Sequence, residues 1–137
     1  MSKSEPIVSK FMTTQPFFIE KERTLYEAQK TMAEKRIRHL PVVSEGETVG
    51  IISDRDIKMA AGLMGADPKK MLVGNVCHEN VYQVSPDTKL HEVAEEMAKK
   101  HYGCAVVVSN NKLVGIFTTV DACRAIVDIL QQRYHGF

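Results

Sequence analysis

Between residues 16 and 62 the apolar positions change period several times. Pro16-Phe17-Phe18-Ile19 is a short apolar run that can pair as a strand. Leu25, Ala28 and Met32 then recur at helical spacing, behind the capping-box pattern Thr24-Leu25-Tyr26-Glu27. In that box a hydroxyl and a carboxylate satisfy each other's backbone donors. Two β-rich runs follow, Leu40–Val43 and Val49–Ile52, joined by the turn-prone Ser44-Glu45-Gly46-Glu47. A second helix is predicted from about Ser53-Asp54 to Gly62, where Gly62, Gly65 and Pro68 break the chain. The same order returns later. Leu90, Val93, Ala94, Met97 and Ala98 form a helical stripe, and Ala105–Val108 and Leu113–Phe117 are strand-like runs across Asn110-Asn111. A last helix is predicted from Asp121 to about Arg133, with Ala122, Ala125, Ile126, Ile129 and Leu130 as a longer apolar stripe. That stripe suits either a face packed on the chain's own core or a subunit interface.

The recurrence is an internal repeat. Residues 8–60 align with 73–125 at a constant offset of 65 without a gap, and 14 of the 53 pairs are identical, among them Leu25/Leu90, Gly50/Gly115, Ile51/Ile116 and Asp56/Asp121. Each copy reads strand–helix–strand–strand–helix, so the chain is expected to be α+β with two pseudo-symmetric β-α-β-β-α units. The boundaries are placed at 7–61 and 72–130, with 62–71 as the linker. A unit of this size buries a marginal core alone, which predicts that the two pack as one body.

Composition narrows the function classes. With 18 Lys+Arg against 17 Asp+Glu the formal net charge is +1, so a basic nucleic-acid surface is not expected. Cys77, Cys104 and Cys123 are odd in number and form no C-x-x-C pair, which argues against a disulfide framework or a thiolate zinc site and suits a reducing, cytoplasmic setting. No uncharged apolar stretch approaches the about 20 residues of a membrane span, and the N-terminus lacks a signal-peptide pattern. His101-Tyr102-Gly103-Cys104 could be drawn as a metal pair, but a stable site needs about four ligands and His78, His91 and Cys77 fall in other parts of the repeat, so no metal site is expected. No nucleophile–base set, P-loop or dinucleotide glycine fingerprint is visible, and no enzymatic activity is expected.

The chemistry concentrates in Gly50-Ile51-Ile52-Ser53-Asp54-Arg55-Asp56, echoed by Gly115-Ile116-Phe117-Thr118-Thr119-Val120-Asp121. In both, an apolar strand ends in a hydroxyl residue and an Asp follows three positions later, inside the first helical turn. A carboxylate can accept from both hydroxyls of a ribose diol, and a hydroxyl with helix-start N–H groups can meet a phosphate. The same residues also suit plain helix capping, Ser53 and Thr118 as N-caps with Asp56 and Asp121 favouring the dipole.

The repeat, these two windows and Arg38-His39-Leu40-Pro41-Val42-Val43 resemble the cystathionine-β-synthase (CBS) domain, over about residues 7–130. The resemblance implies a tandem CBS pair, or Bateman module, packed sheet to sheet with clefts between the units. It implies regulatory binding of AMP, ADP or ATP, or of S-adenosylmethionine or NAD instead, with Mg entering only alongside ATP. On it, Asp56 and Asp121 are ribose-binding carboxylates, Ser53 and Thr118 contact ribose or phosphate, and Ile51 and Ile116 lie beside the adenine. Ile37 and Arg38, with Tyr102 and Gly103, line the base pocket. Thr14–Phe17 and Glu79–Tyr82, including Thr14, Pro16 and Val81, offer backbone groups to the adenine edge.

The copies differ in charge. Arg38, His39 and Arg55 of the first correspond to Gly103, Cys104 and Val120 of the second. The first site is therefore expected to prefer a phosphorylated ligand, and the second a less charged adenosine compound or none. Arg38 and Arg55 also suit ordinary surface ion pairs. The resulting expectation is a non-enzymatic adenine-nucleotide sensor, homodimeric through its helices and passing its output to a separate effector protein. The alternative is a structural dimerisation module with vestigial clefts.

Overall fold

The computed structural model describes residues 4–136. In chain order its elements are β1 (Thr13–Thr14), β2 (Ile19–Glu20), α1 (Leu25–Lys35), β3 (His39–Ser44), β4 (Glu47–Ser53), α2 (Asp54–Leu63), β5 (Gln83–Val84), α3 (Leu90–Lys100), β6 (Cys104–Ser109), β7 (Lys112–Thr118) and α4 (Thr119–His135). Short 3-10 turns at Val8–Lys10 and Val73–Asn75 precede the two series. The fold is α+β, with two separate sheets.

The chain forms two compact units whose limits do not follow the repeat. One is Phe17–Val81; the other joins the described residues up to Pro16 with those from Tyr82 onward. In Phe17–Val81 the sheet order is β2-β3-β4, with β2 parallel and β4 antiparallel to β3. In the other unit the order is β1-β7-β6-β5, β5 being parallel to β6 and β1 antiparallel to β7. The leader of each repeat thus docks on the body of the other repeat. Val8 is buried with Val93, Val107 and Phe117, while Val73 is buried with Leu25, Leu40 and Ile52.

Local chemistry accounts for the boundaries. The expected strand at 16–19 falls instead on Ile19–Glu20. Gln15, at φ 50°, turns the chain after β1, and Pro16 has no N–H to give to a ladder. Glu45-Gly46 and Asn110-Asn111 all have positive φ, the conformation that tight hairpins require, and connect β3 to β4 and β6 to β7. Both hairpins carry a bulge at equivalent places, Val42/Val43 and Val107/Val108. Helices α1 and α3 both stop at a left-handed residue, Arg36 and His101, whose N–H returns to Met32 and Met97.

Two helical faces differ from the sequence pattern. Helix α3 buries Leu90, Val93 and Met97, but Ala94 and Ala98 are exposed. Helix α4 runs two residues beyond the expected end and buries only Asp121 and Ala125. Ile126, Ile129 and Leu130 are exposed, together with Val127 and Tyr134.

Candidate functional site

Each unit has one junction where the last long strand ends and a helix begins, and both junctions carry a reciprocal capping box. At the β4–α2 junction the Ser53 N–H donates to Asp56 Oδ2 at 2.9 Å, and the Asp56 N–H donates to Ser53 Oγ at 3.1 Å. At the β7–α4 junction the Thr118 N–H donates to Asp121 Oδ2 at 2.9 Å, and the Asp121 N–H donates to Thr118 Oγ1 at 3.3 Å. The capping roles are therefore occupied in both copies. A cap uses one carboxylate oxygen, and the second oxygen decides what else the group can do.

That second oxygen is met in each unit by the docked leader. His78 Nε2 lies 2.8 Å from Asp56 Oδ1, and the Thr13 hydroxyl donates to Asp121 Oδ1 at 3.1 Å and Oδ2 at 3.3 Å. His78 and Thr13 are equivalent positions at the offset of 65. Arg124 Nη1 also stands 3.8 Å from Asp121 Oδ1. Asp121 is buried at 4% relative exposure, and the Asp56 side chain retains 15%.

The leaders approach because two glycines allow it. A β-carbon on Gly50 would stand 2.8 Å from Cys77 Sγ and 2.9 Å from the His78 carbonyl oxygen, and one on Gly115 would collide with the Met12 side chain. Ile51 and His78 then exchange both backbone hydrogen bonds at 2.9 Å, while Thr13 stands opposite Ile116 and Thr14 opposite Gly115. His78 and Thr13 were not among the candidate residues. Their equivalence is visible in the repeat, but its offset does not say that the leaders cross over.

The remaining candidates divide by unit. In Phe17–Val81, Arg38 and Arg55 are exposed, and neither has an ion-pair partner among the described residues. The Arg38 carbonyl accepts from the Asp54 N–H at 3.0 Å. His39 faces Ser53 across the sheet and is half-buried. Burial lowers its pKa below the ordinary 6.5, a shift that Asp54 and Asp56 oppose. Ile37 packs against the core of this unit, and Val81 closes the unit half-buried.

In the second unit Ile116 is buried, and the Gly103 carbonyl accepts from the Thr119 N–H at 3.3 Å. Tyr102 stacks on Tyr82 with ring centroids 5.4 Å apart. Burial raises the Tyr82 pKa, and Glu96 and Glu92 raise it further. Thr14 and Pro16 belong to this unit, Thr14 standing opposite Gly115.

Comparison with known proteins bears on the family and the fold. The sequence model of the CBS domain matches residues 8–62 and again 73–128. An uncharacterized Methanocaldococcus jannaschii protein, MJ1232, is 35% identical over 113 residues, covering 82% of this chain and 36% of its own. The chain spans about a third or less of the length of three such curated relatives. Among solved structures, AcuB of Vibrio cholerae, which carries a provisional acetoin-utilization name, superposes with a TM-score of 0.88 at 31% identity, covering 96% of this chain and 98% of that one. The CBS domain pair of protein MJ0100, in complex with 5′-methylthioadenosine and S-adenosyl-L-methionine, superposes with a TM-score of 0.83 at 28% identity, covering 91% and 98%.

Proposed function

The chain belongs to the CBS domain family, and from that premise we propose that it is a regulatory module binding adenosine nucleotides at its two strand–helix junctions. The observation that carries this reading is the duplicated pairing of a hydroxyl and a carboxylate on a helix N-terminus. In the first copy, Arg38 and Arg55, exposed and without an ion-pair partner among the described residues, flank that pairing. Helix-start N–H groups and arginines favour a phosphate, and a carboxylate favours a sugar diol. The pair of MJ0100 with its two adenosine compounds supports that ligand class.

We assign AMP, ADP or ATP to the first junction, with Mg accompanying ATP only. The second copy has Gly103 and Val120 in place of Arg38 and Arg55, which favours an adenosine compound of lower negative charge, with S-adenosylmethionine or NAD as the alternative class. No cofactor is required on this reading. The signal passes to a separate effector protein, a cytoplasmic setting fits, and nucleic acid is not a partner. Among the described residues no helix is long and apolar enough to cross a membrane.

A specific observation favours a second reading, a homodimerisation module. Ile126, Val127, Ile129, Leu130 and Tyr134 are exposed along α4. These readings separate in one experiment, thermal melting with a panel of adenosine ligands combined with mass measurement across protein concentration. A ligand at 100 times its Kd stabilises the fold by about 2.7 kcal/mol, which is several degrees for a chain of this size. Sensing predicts that shift for at least one ligand. Flat melts across the panel with a concentration-dependent dimer would leave the assembly reading in its place.

A further inference from the structure

We infer that His78 is a latch on the carboxylate of the first repeat. Its side chain must leave Asp56 Oδ1 before a sugar diol can be held there, which makes it a specificity-determining residue of that site. The inference rests on the proposed nucleotide function for its ligand, and on geometry alone for the latch.

Each oxygen of the carboxylate already accepts one hydrogen bond while the latch is closed, and the imidazole covers the face of Oδ1 that it meets. Oδ2 serves the Ser53 N–H at 2.9 Å, and Oδ1 serves His78 Nε2 at 2.8 Å. The backbone beneath His78 is pinned by its two hydrogen bonds with Ile51, both 2.9 Å, and by the close approach that Gly50 permits. The imidazole itself is 66% exposed. A side chain hinged on a fixed backbone and bathed in solvent can change rotamer without moving the sheet.

The second repeat lacks this device. Its equivalent residue, Thr13, reaches Asp121 through a short hydroxyl on a β-branched side chain whose χ1 choices are few. Arg124 also stands near the same Asp121 oxygen. The same carboxylate is thus guarded by a long, swinging imidazole in one repeat and by a short, stiff hydroxyl in the other. The two junctions should therefore respond differently to the same sugar.

The contact involves a largely exposed imidazole, so removing it should tighten binding about two- to fivefold. The test is calorimetric titration of AMP into the wild type, His78→Ala and His78→Thr. It is joined by nitrogen-detected NMR of the His78 ring in the ligand-free wild type and in Asp56→Asn. Tighter AMP binding by His78→Ala, with His78→Thr between it and the wild type, is expected. The ring should carry its proton on Nε2 in the wild type and lose that preference in Asp56→Asn. AMP binding that is unchanged or weaker in His78→Ala overturns the latch while leaving the nucleotide reading intact. Absence of AMP binding by all three proteins overturns the gating of AMP at this junction, and the melting panel then decides the nucleotide reading separately. A ring signal indifferent to Asp56→Asn overturns the closed contact itself.

Discussion

Replacing Asp56 with alanine removes two things at once, and the structure separates them. The carboxylate accepts from the Ser53 N–H at 2.9 Å inside a reciprocal capping box. Loss of a cap costs about 0.5–2 kcal/mol. Its contact with His78 involves a largely exposed imidazole and adds about 0–1 kcal/mol at most. Asp56→Ala should therefore lower stability by about 1–2 kcal/mol, which at this chain length is about 3–8 °C in Tm. If the same carboxylate holds a ligand's sugar, AMP affinity should fall further, by about ten- to a hundredfold, as when a charged hydrogen bond of about 1.5–3 kcal/mol is lost. Thr24→Ala is the matched control. Thr24 caps α1 in the same unit through the Glu27 N–H at 3.2 Å, so its loss should cost similar stability and leave AMP affinity unchanged. Calorimetric unfolding and isothermal titration on both variants decide the matter. An Asp56→Ala protein that is destabilised yet binds AMP with the wild-type Kd would reduce Asp56 to a helix cap and refute the reasoning.

Gly50→Ala should destabilise by about 1–3 kcal/mol, because its new methyl meets Cys77 Sγ at 2.8 Å and the His78 backbone oxygen at 2.9 Å. Gly115→Ala should cost less, because the flexible Met12 side chain can yield; paired urea titrations check the order. Burial lowers the His39 pKa, so the unfolded chain takes up that proton first. The stability held by neutral His39 is complete above about pH 6.5 and is lost as pH falls below it. The Tm measured from about pH 7.5 to 6 should therefore decline more steeply in the wild type than in His39→Gln. Burial pushes the Cys104 thiol up to about 12, whereas Cys123 is exposed. A thiol reagent at neutral pH should label Cys123 at once, and Cys104 only at the rate of unfolding.

Most of the fold was legible because each local signal was paired with its copy. The turn residues at 44–47 and 110–111 and the strand runs ending at Ser53 and Thr118 became the elements they suggest, and Thr24 caps α1 through the Glu27 N–H, although the Glu27 carboxylate meets the Thr24 hydroxyl and not its backbone N–H. The helical pattern overstated burial at Ala94 and Ala98, since small apolar residues fit a helix whichever way they face. What the repeat does not reveal is the crossover of the leaders. An offset of 65 aligns Thr13 with His78 but leaves open which body each one meets. Glycine carried the only trace of it. Gly50 and Gly115 lie inside strands, where a glycine usually marks a close backbone approach, and the approaching segments are residues 77–78 and Met12.

The most direct measurement is a crystal structure of the protein grown with AMP. The account predicts ribose hydroxyls within hydrogen-bond distance of the Asp56 carboxylate, the His78 ring swung away and an arginine side chain, Arg38 or Arg55, on the phosphate. A nucleotide bound elsewhere, with the imidazole still on Asp56 Oδ1, would contradict it.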